Sequence, residues 1–122
     1  MKVRTTARED YLKAVLVLQK KYGMVRSVDL ARYLGVSKPS VCRAVSTLTD
    51  GGFLYMADDF FLHLTGKGLE IAEKTYERHC FFTRYLTGIG VDLTTAEEDA
   101  CKLEHAISDK SFQKLKAKLG SC

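Results

Sequence analysis

Between Ser27 and Leu64 the chain carries a pattern that few folds accommodate: two short amphipathic stretches joined by a single glycine, then a glycine pair, then two short apolar runs. Leu30, Ala31 and Leu34 form the stripe of a helix that Ser27 opens over Val28 to Leu34. Gly35 supplies a tight turn in which a positive φ costs little. Val36 is the expected apolar plug between the helices, and Ser37 is the expected cap of the next one. Pro39 falls in its first turn, where a missing N–H is harmless. Val41, Val45 and Leu48 turn inward along that helix as far as about Asp50, and Gly51-Gly52 ends it. Phe53-Leu54-Tyr55-Met56 and Phe60-Phe61-Leu62-His63-Leu64, parted by Ala57-Asp58-Asp59, read as a β-hairpin. A glycine-linked helix pair followed by a hairpin predicts a helix-turn-helix with a wing.

The flanking segments read as helices. Thr6 and Glu9 make a capping box for a helix to Tyr22, with Tyr11, Ala14, Val15, Leu18 and Tyr22 at helical spacing and Gly23 as its stop. Thr65-Gly66-Lys67-Gly68 starts a long helix to about Thr87, with Leu69, Ala72, Tyr76, Phe82 and Leu86 inward. Thr94 or Thr95 caps a fifth helix to about Ile107, its acids Glu97, Glu98 and Asp99 placed in the first turn. Ser111 begins a short last helix that ends by Gly120. The expected fold is mainly α with a small β-hairpin wing: a winged helix-turn-helix over residues 1–72 and an all-helical domain over residues 73–122.

Charge separates the same halves. Residues 1–50 hold ten lysines and arginines against four acids, whereas residues 51–122 hold nine against eleven. A basic front half fits a nucleic-acid reader, although ordinary surface variation gives excesses of this size too. In a helix-turn-helix the start of the second helix meets base edges and phosphates. That places Ser37, Lys38, Pro39, Ser40 and Arg43 on double-stranded DNA, with hydroxyls and N–H groups on phosphate oxygens and Arg43 on a guanine edge or a phosphate. Arg4, Arg8, Arg26 and Arg32 add attraction. A plain three-helix core with the same turn chemistry is the alternative. His63, in the wing, reads as a surface or DNA-facing residue.

Hydrophobic residues at 46% and charged residues at 28% exclude disorder. No apolar run is long enough to span a bilayer, and the polar start from Met1 to Thr6 has no secretory core, so a cytoplasmic protein without membrane contact is expected. Cys42, Cys80, Cys101 and Cys122 include no C-x-x-C pair, and each alone reads as a small hydrophobe or a reduced thiol. There is no phosphate-binding glycine loop, no H-E-x-x-H and no oriented nucleophile–base pair, so an enzyme is not expected.

Asp99-Ala100-Cys101-Lys102-Leu103-Glu104-His105 sets a thiol, a carboxylate and an imidazole at i, i+3 and i+4. On a helix these share a face and can reach one divalent first-row ion. His79, on the preceding helix, could pack across from them, and Asp10 could complete the set. The same residues could instead be a core cysteine, a surface charge and a capping histidine.

The chain resembles the DtxR/MntR family of metal-dependent bacterial repressors, most nearly the short, two-domain manganese-type members. The likeness rests on Glu9-Asp10-Tyr11-Leu12, Leu34 to Val41, Leu64-Thr65-Gly66-Lys67-Gly68, Arg78-His79, and Asp99 to His105 with Ser108-Asp109 following. It implies a homodimer on palindromic operator DNA that controls metal-ion homeostasis genes. The implied ligands are Asp10, His79, Cys101, Glu104 and His105. The implied corepressor is Mn(II) or Fe(II), with Zn(II) or Co(II) as further candidates. Lys13 and Thr83 stand where family members carry further carboxylates, and Cys80 and Glu97 are possible substitutes, so a reduced site with a single ion per subunit is expected. The iron-type members' SH3-like third domain has no counterpart in 122 residues. A metal-independent winged-helix repressor that senses a small ligand, or oxidation of Cys101 or Cys80, is the alternative.

Overall fold

A computed structural model describes residues 5–120. Arg4 and Cys122, both singled out above, lie outside them. Among the described residues the order is α1 (Thr5–Tyr22), α2 (Ser27–Leu34), α3 (Lys38–Asp50), β1 (Leu54–Met56), β2 (Leu62–Leu64), α4 (Gly66–Gly88), α5 (Leu93–Ala106) and α6 (Asp109–Leu119). The chain forms two compact units, one ending at Glu73 and the other beginning at Lys74, and α4 carries the chain from one to the other.

In the first unit α2 and α3 make the glycine-linked pair. Gly35 takes φ 68°, and its N–H donates to Ala31 O, which closes α2. The Ser37 hydroxyl accepts the Ser40 N–H at 3.3 Å at the start of α3. Leu12, Val15, Leu30, Val41, Leu48, Leu54 and Leu62 are all essentially inaccessible to solvent. The hairpin pairs antiparallel, with Leu54 opposite Leu64 and Met56 opposite Leu62. The Leu62 N–H also donates to Val25 O at 2.7 Å, which joins the wing to the loop before α2.

Several local expectations give way to stronger chemistry. Thr6 does not cap α1, which already includes Thr5. Ser27 is the first residue of α2, and Arg26 is its cap, with Asp29 Oδ2 accepting the Arg26 N–H at 2.8 Å. The strands are three residues each: Phe53 drops out of β1, its N–H donating to Leu48 O, and Phe60, largely exposed at φ 64°, lies outside β2. Tyr22 and Val36 are exposed rather than inward.

The start of α4 is fastened to the α3–β1 turn. Thr65 Oγ1 donates to Gly52 O at 2.6 Å and accepts the Gly68 N–H at 3.1 Å. Lys67 Nζ donates to Gly51 O and lies 4.4 Å from the Phe53 ring centre. A Cβ at Gly68 would overlap the Phe53 carbonyl, so only glycine allows this approach. Leu69, expected inward, is among the exposed apolar residues.

In the second unit Phe81, Phe82, Ala100 and Phe112 form the buried cluster, with Ile107 and Leu115 against it. Phe112 meets Phe81 edge-on at 5.4 Å. Asp92 caps α5 by accepting the Thr95 N–H at 3.0 Å, in place of Thr94 or Thr95. The helix thus starts at Leu93, and Glu97, Glu98 and Asp99 fall beyond its first turn. Ser108 caps α6 through the Ser111 N–H.

Candidate metal centre and nucleic-acid interface

The exposed side of α3 is built by its inward residues. Burial of Val41, Ala44, Val45 and Leu48 leaves Lys38, Pro39, Cys42, Arg43 and Ser46 facing solvent. Ser37 Oγ donates to Ser40 Oγ at 2.8 Å, so both hydroxyls are ordered at the helix start beside Lys38. Unpaired N–H groups and the positive end of the helix dipole converge there, the usual chemistry of a phosphate contact. Cys42 and Ser46 extend the surface that Lys38 begins, at spacings of four. Sequence reasoning passed over them, although the period alone puts them on that face. Cys42 and Cys101 are exposed and Cys80 is half-buried, so none of the three is a fully buried hydrophobe.

The second unit gathers the metal-ligating residue types of α4 and α5. His79 Nδ1 lies 3.0 Å from Glu104 Oε2 and 3.8 Å from Cys101 Sγ. One potential ligand atom from each of His79, Cys101 and Glu104 lies within 4.8 Å of the others. His105 Nε2 stands 3.4 Å from Glu104 Oε1, so the Glu104 carboxylate lies between two imidazoles. That carboxylate has no solvent exposure, while the two histidines keep 20% and 10%. A buried carboxylate is costly without a positive partner. Cys101, Glu104 and His105 lie on α5 at i, i+3 and i+4, and His79 lies on α4. Asp10 lies half-buried on α1, in the first unit. Lys13 is buried. Thr83 Oγ1, one turn after His79, is buried and without a hydrogen-bond partner among the described residues.

Arg78 is the residue that sequence reasoning left without a task. Its guanidinium donates to Ile107 O at 2.9 Å and Glu104 O at 3.4 Å, and pairs with Asp109. Only its place beside His79 hinted at a role.

Among the described residues no helix is long and apolar enough to cross a membrane. Two family models match the chain. Residues 4–59 match the iron dependent repressor N-terminal DNA binding domain, and residues 65–122 match the iron dependent repressor metal binding and dimerisation domain. An uncharacterised HTH-type transcriptional regulator of Methanocaldococcus jannaschii is 33% identical over 110 residues, 88% of either chain. The transcriptional regulator MntR of Escherichia coli is 32% identical over 104 residues, 85% of this chain and 67% of the relative. A solved manganese-dependent transcriptional repressor, in complex with manganese, superposes with a TM-score of 0.81 at 28% identity, over 92% of this chain and 52% of the other. The chain therefore spans about half the length of that solved relative. With both halves matched in order, and relatives that are transcriptional regulators rather than enzymes, the chain belongs to the iron-dependent repressor family, the DtxR/MntR group.

Proposed function

We propose that this chain is a metal-responsive repressor that binds palindromic operator DNA as a homodimer, with Mn(II) or Fe(II) as corepressor, and controls metal-homeostasis genes. The observation that carries the reading is the convergence of His79, Cys101 and Glu104 from two helices around one buried carboxylate. Residues 1–72 act as the reader, with Ser37, Lys38, Pro39, Ser40 and Arg43 on the DNA. Residues 73–122 act as the dimerisation and metal-binding part. His79, Cys101, Glu104 and His105 hold the ion there, and Asp10 contributes from α1.

The donor set suits a divalent first-row ion. Imidazole and carboxylate serve manganese and iron(II), whereas a thiolate draws later, softer ions. When bound, the ion supplies positive charge beside the buried Glu104 carboxylate. Each subunit holds one ion, because Lys13 and Thr83 stand where a second ion would need carboxylates. An ion shifts the repressor toward its DNA-binding form only by binding that form more tightly. A hundredfold difference in affinity corresponds to about 2.7 kcal/mol.

The test uses a palindromic DNA selected from a random pool by the metal-loaded protein. Chelated protein should bind it weakly, and Mn(II) or Fe(II) should restore binding more effectively than Zn(II) or Co(II) at matched free concentrations. Equal affinity with and without every metal would sink the switch. His105→Ala should remove the metal response while leaving the fold intact. A second reading, in which oxidation of a thiol replaces the metal as signal, is favoured by the exposed Cys101. It requires peroxide-sensitive DNA binding in chelated protein, lost in Cys101→Ser.

A further inference from the structure

Consecutive residues of α4 grip both ends of Glu104. His79 meets its carboxylate at 3.0 Å, and Arg78 Nη1 meets its backbone carbonyl at 3.4 Å. The same nitrogen donates to Ile107 O at 2.9 Å. Nη2 reaches Asp109 Oδ1 at 3.3 Å, and the guanidinium lies 5.3 Å from the centre of the Phe112 ring. One side chain, 13% exposed, therefore ties α4 to the end of α5, the start of α6 and the aromatic cluster.

The end of α5 needs such a tie. The last four carbonyls of a helix have no partner within it. Many helices satisfy some of them by a left-handed glycine, but here the capping position is Ile107 in an extended conformation. A guanidinium supplies what is missing, with several donors in a planar fork and a positive charge at the negative end of the dipole. Glu104 and His105 belong to this same last turn. If the turn frays, their side chains lose their spacing from His79.

We propose that Arg78 is a positioning residue for the His79–Cys101–Glu104 cluster, and that it sets how tightly the cluster takes a divalent cation. The proposal rests on the reading of that cluster as a metal site. Arg78 touches no ion; it acts through the backbone of Glu104 and Ile107. Ligand distances in a working site tolerate only about 0.2 Å of error. Loss of outer partners of metal ligands costs about 10- to 100-fold in affinity.

The experiment uses the full chain, Co(II) as the probe, and three proteins: wild type, Arg78→Lys and Glu77→Gln. Lysine keeps the charge but not the fork. Glu77→Gln removes the Lys116 Nζ–Glu77 pair at 2.8 Å, a tie between α4 and α6 that leaves α5 untouched. Two readouts are taken: Co(II) affinity with the thiolate–cobalt absorption band, and amide exchange of residues 103–107 in chelated protein. Arg78→Lys should weaken Co(II) binding by about tenfold or more, alter the band and speed exchange, with helix content preserved. Glu77→Gln should lower thermal stability slightly and change neither readout. Wild-type affinity, band and exchange in Arg78→Lys would overturn the proposal, as would equal losses in both variants. A wild-type protein that binds no Co(II) would remove the metal reading instead. The exchange arm then decides the positioning claim by itself: faster exchange supports it, and unchanged exchange overturns it.

Discussion

The two units hold their functional helices by different means. In the first unit α3 is fixed by its own neighbours in sequence: Ser37 at its start, Gly35 in the turn before it, and an apolar stripe at regular spacing. In the second unit α5 is fixed by groups remote in sequence. Arg78 reaches it across 26 to 29 residues, and His79 across 25. The first arrangement suits a rigid reading surface whose shape need not change with conditions. The second makes the end of α5 depend on polar contacts that a bound cation can compete with or complete.

That contrast breaks first, if it breaks, at Phe112. This ring is buried, packs edge-on to Phe81 and lies beneath the Arg78 guanidinium. Phe112→Ala should cost about 3–5 kcal/mol by urea unfolding. It should also reproduce the fast exchange at the end of α5 expected of Arg78→Lys. The matching deletion in the first unit, Leu48→Ala, should cost about 2–5 kcal/mol, and the end of α5 should be unaffected. Loss of α5 protection in both variants would erase the distinction between the units.

The next effect tests the fastening of α4. Gly68→Ala places a methyl against the Phe53 carbonyl, with its Cβ 2.9 Å from the carbonyl carbon. Backbone cannot rotate away as a side chain can, so about 1–3 kcal/mol of destabilisation is expected. Gly66→Ala is the control, since a Cβ there meets nothing within 4 Å. Equal losses in the two variants would show that helix entropy, not the close approach, explains the effect.

A smaller effect sits in the wing. Phe60 holds φ 64° while largely exposed, a conformation that costs a bulky residue energy. Phe60→Gly should raise stability by up to about 1 kcal/mol, relief of the φ outweighing the added freedom of the unfolded chain. Phe60→Ala, which keeps a Cβ, should show less of this gain. A gain in Ala equal to that in Gly would assign the effect to the exposed ring rather than to the backbone.

What the sequence disclosed follows the same division. The helix-turn-helix was legible because each of its determinants acts within about four residues. Cys101, Glu104 and His105 were legible for the same reason. Helix starts were less so, because several capping residues compete at each one: Asp92 displaces Thr94 and Thr95, Ser108 displaces Ser111, and Arg26 with Asp29 displaces Ser27. β2 starts later than its apolar run, since a hydrophobic run does not reveal the positive φ of Phe60. Tyr22, Val36 and Leu69 are exposed although apolar, because periodicity marks a face without saying what covers it. Arg78 stood out only as the neighbour of His79, because its partners are brought to it by the fold.

The smallest effect separates the units by acid. The cap of α3 is the Ser37 hydroxyl, which does not ionise; Ser37→Ala should cost about 1 kcal/mol at every pH tested. The cap of α5 is Asp92. Hydrogen bonds from Thr95, the backbone N–H first and the hydroxyl next, hold its carboxyl below the usual carboxylate range. A depressed folded-state value means that the stabilisation is complete above the unfolded value, about 3.9, and disappears as pH falls through the lower folded one. Asp92→Asn retains a capping acceptor but cannot titrate. The stability difference between wild type and Asp92→Asn should therefore be flat from pH 7 to about 5 and shrink below about pH 4. The Ser37→Ala difference should stay level over the same range. A parallel decline in both would mean that acid acts on the whole chain rather than through the start of α5.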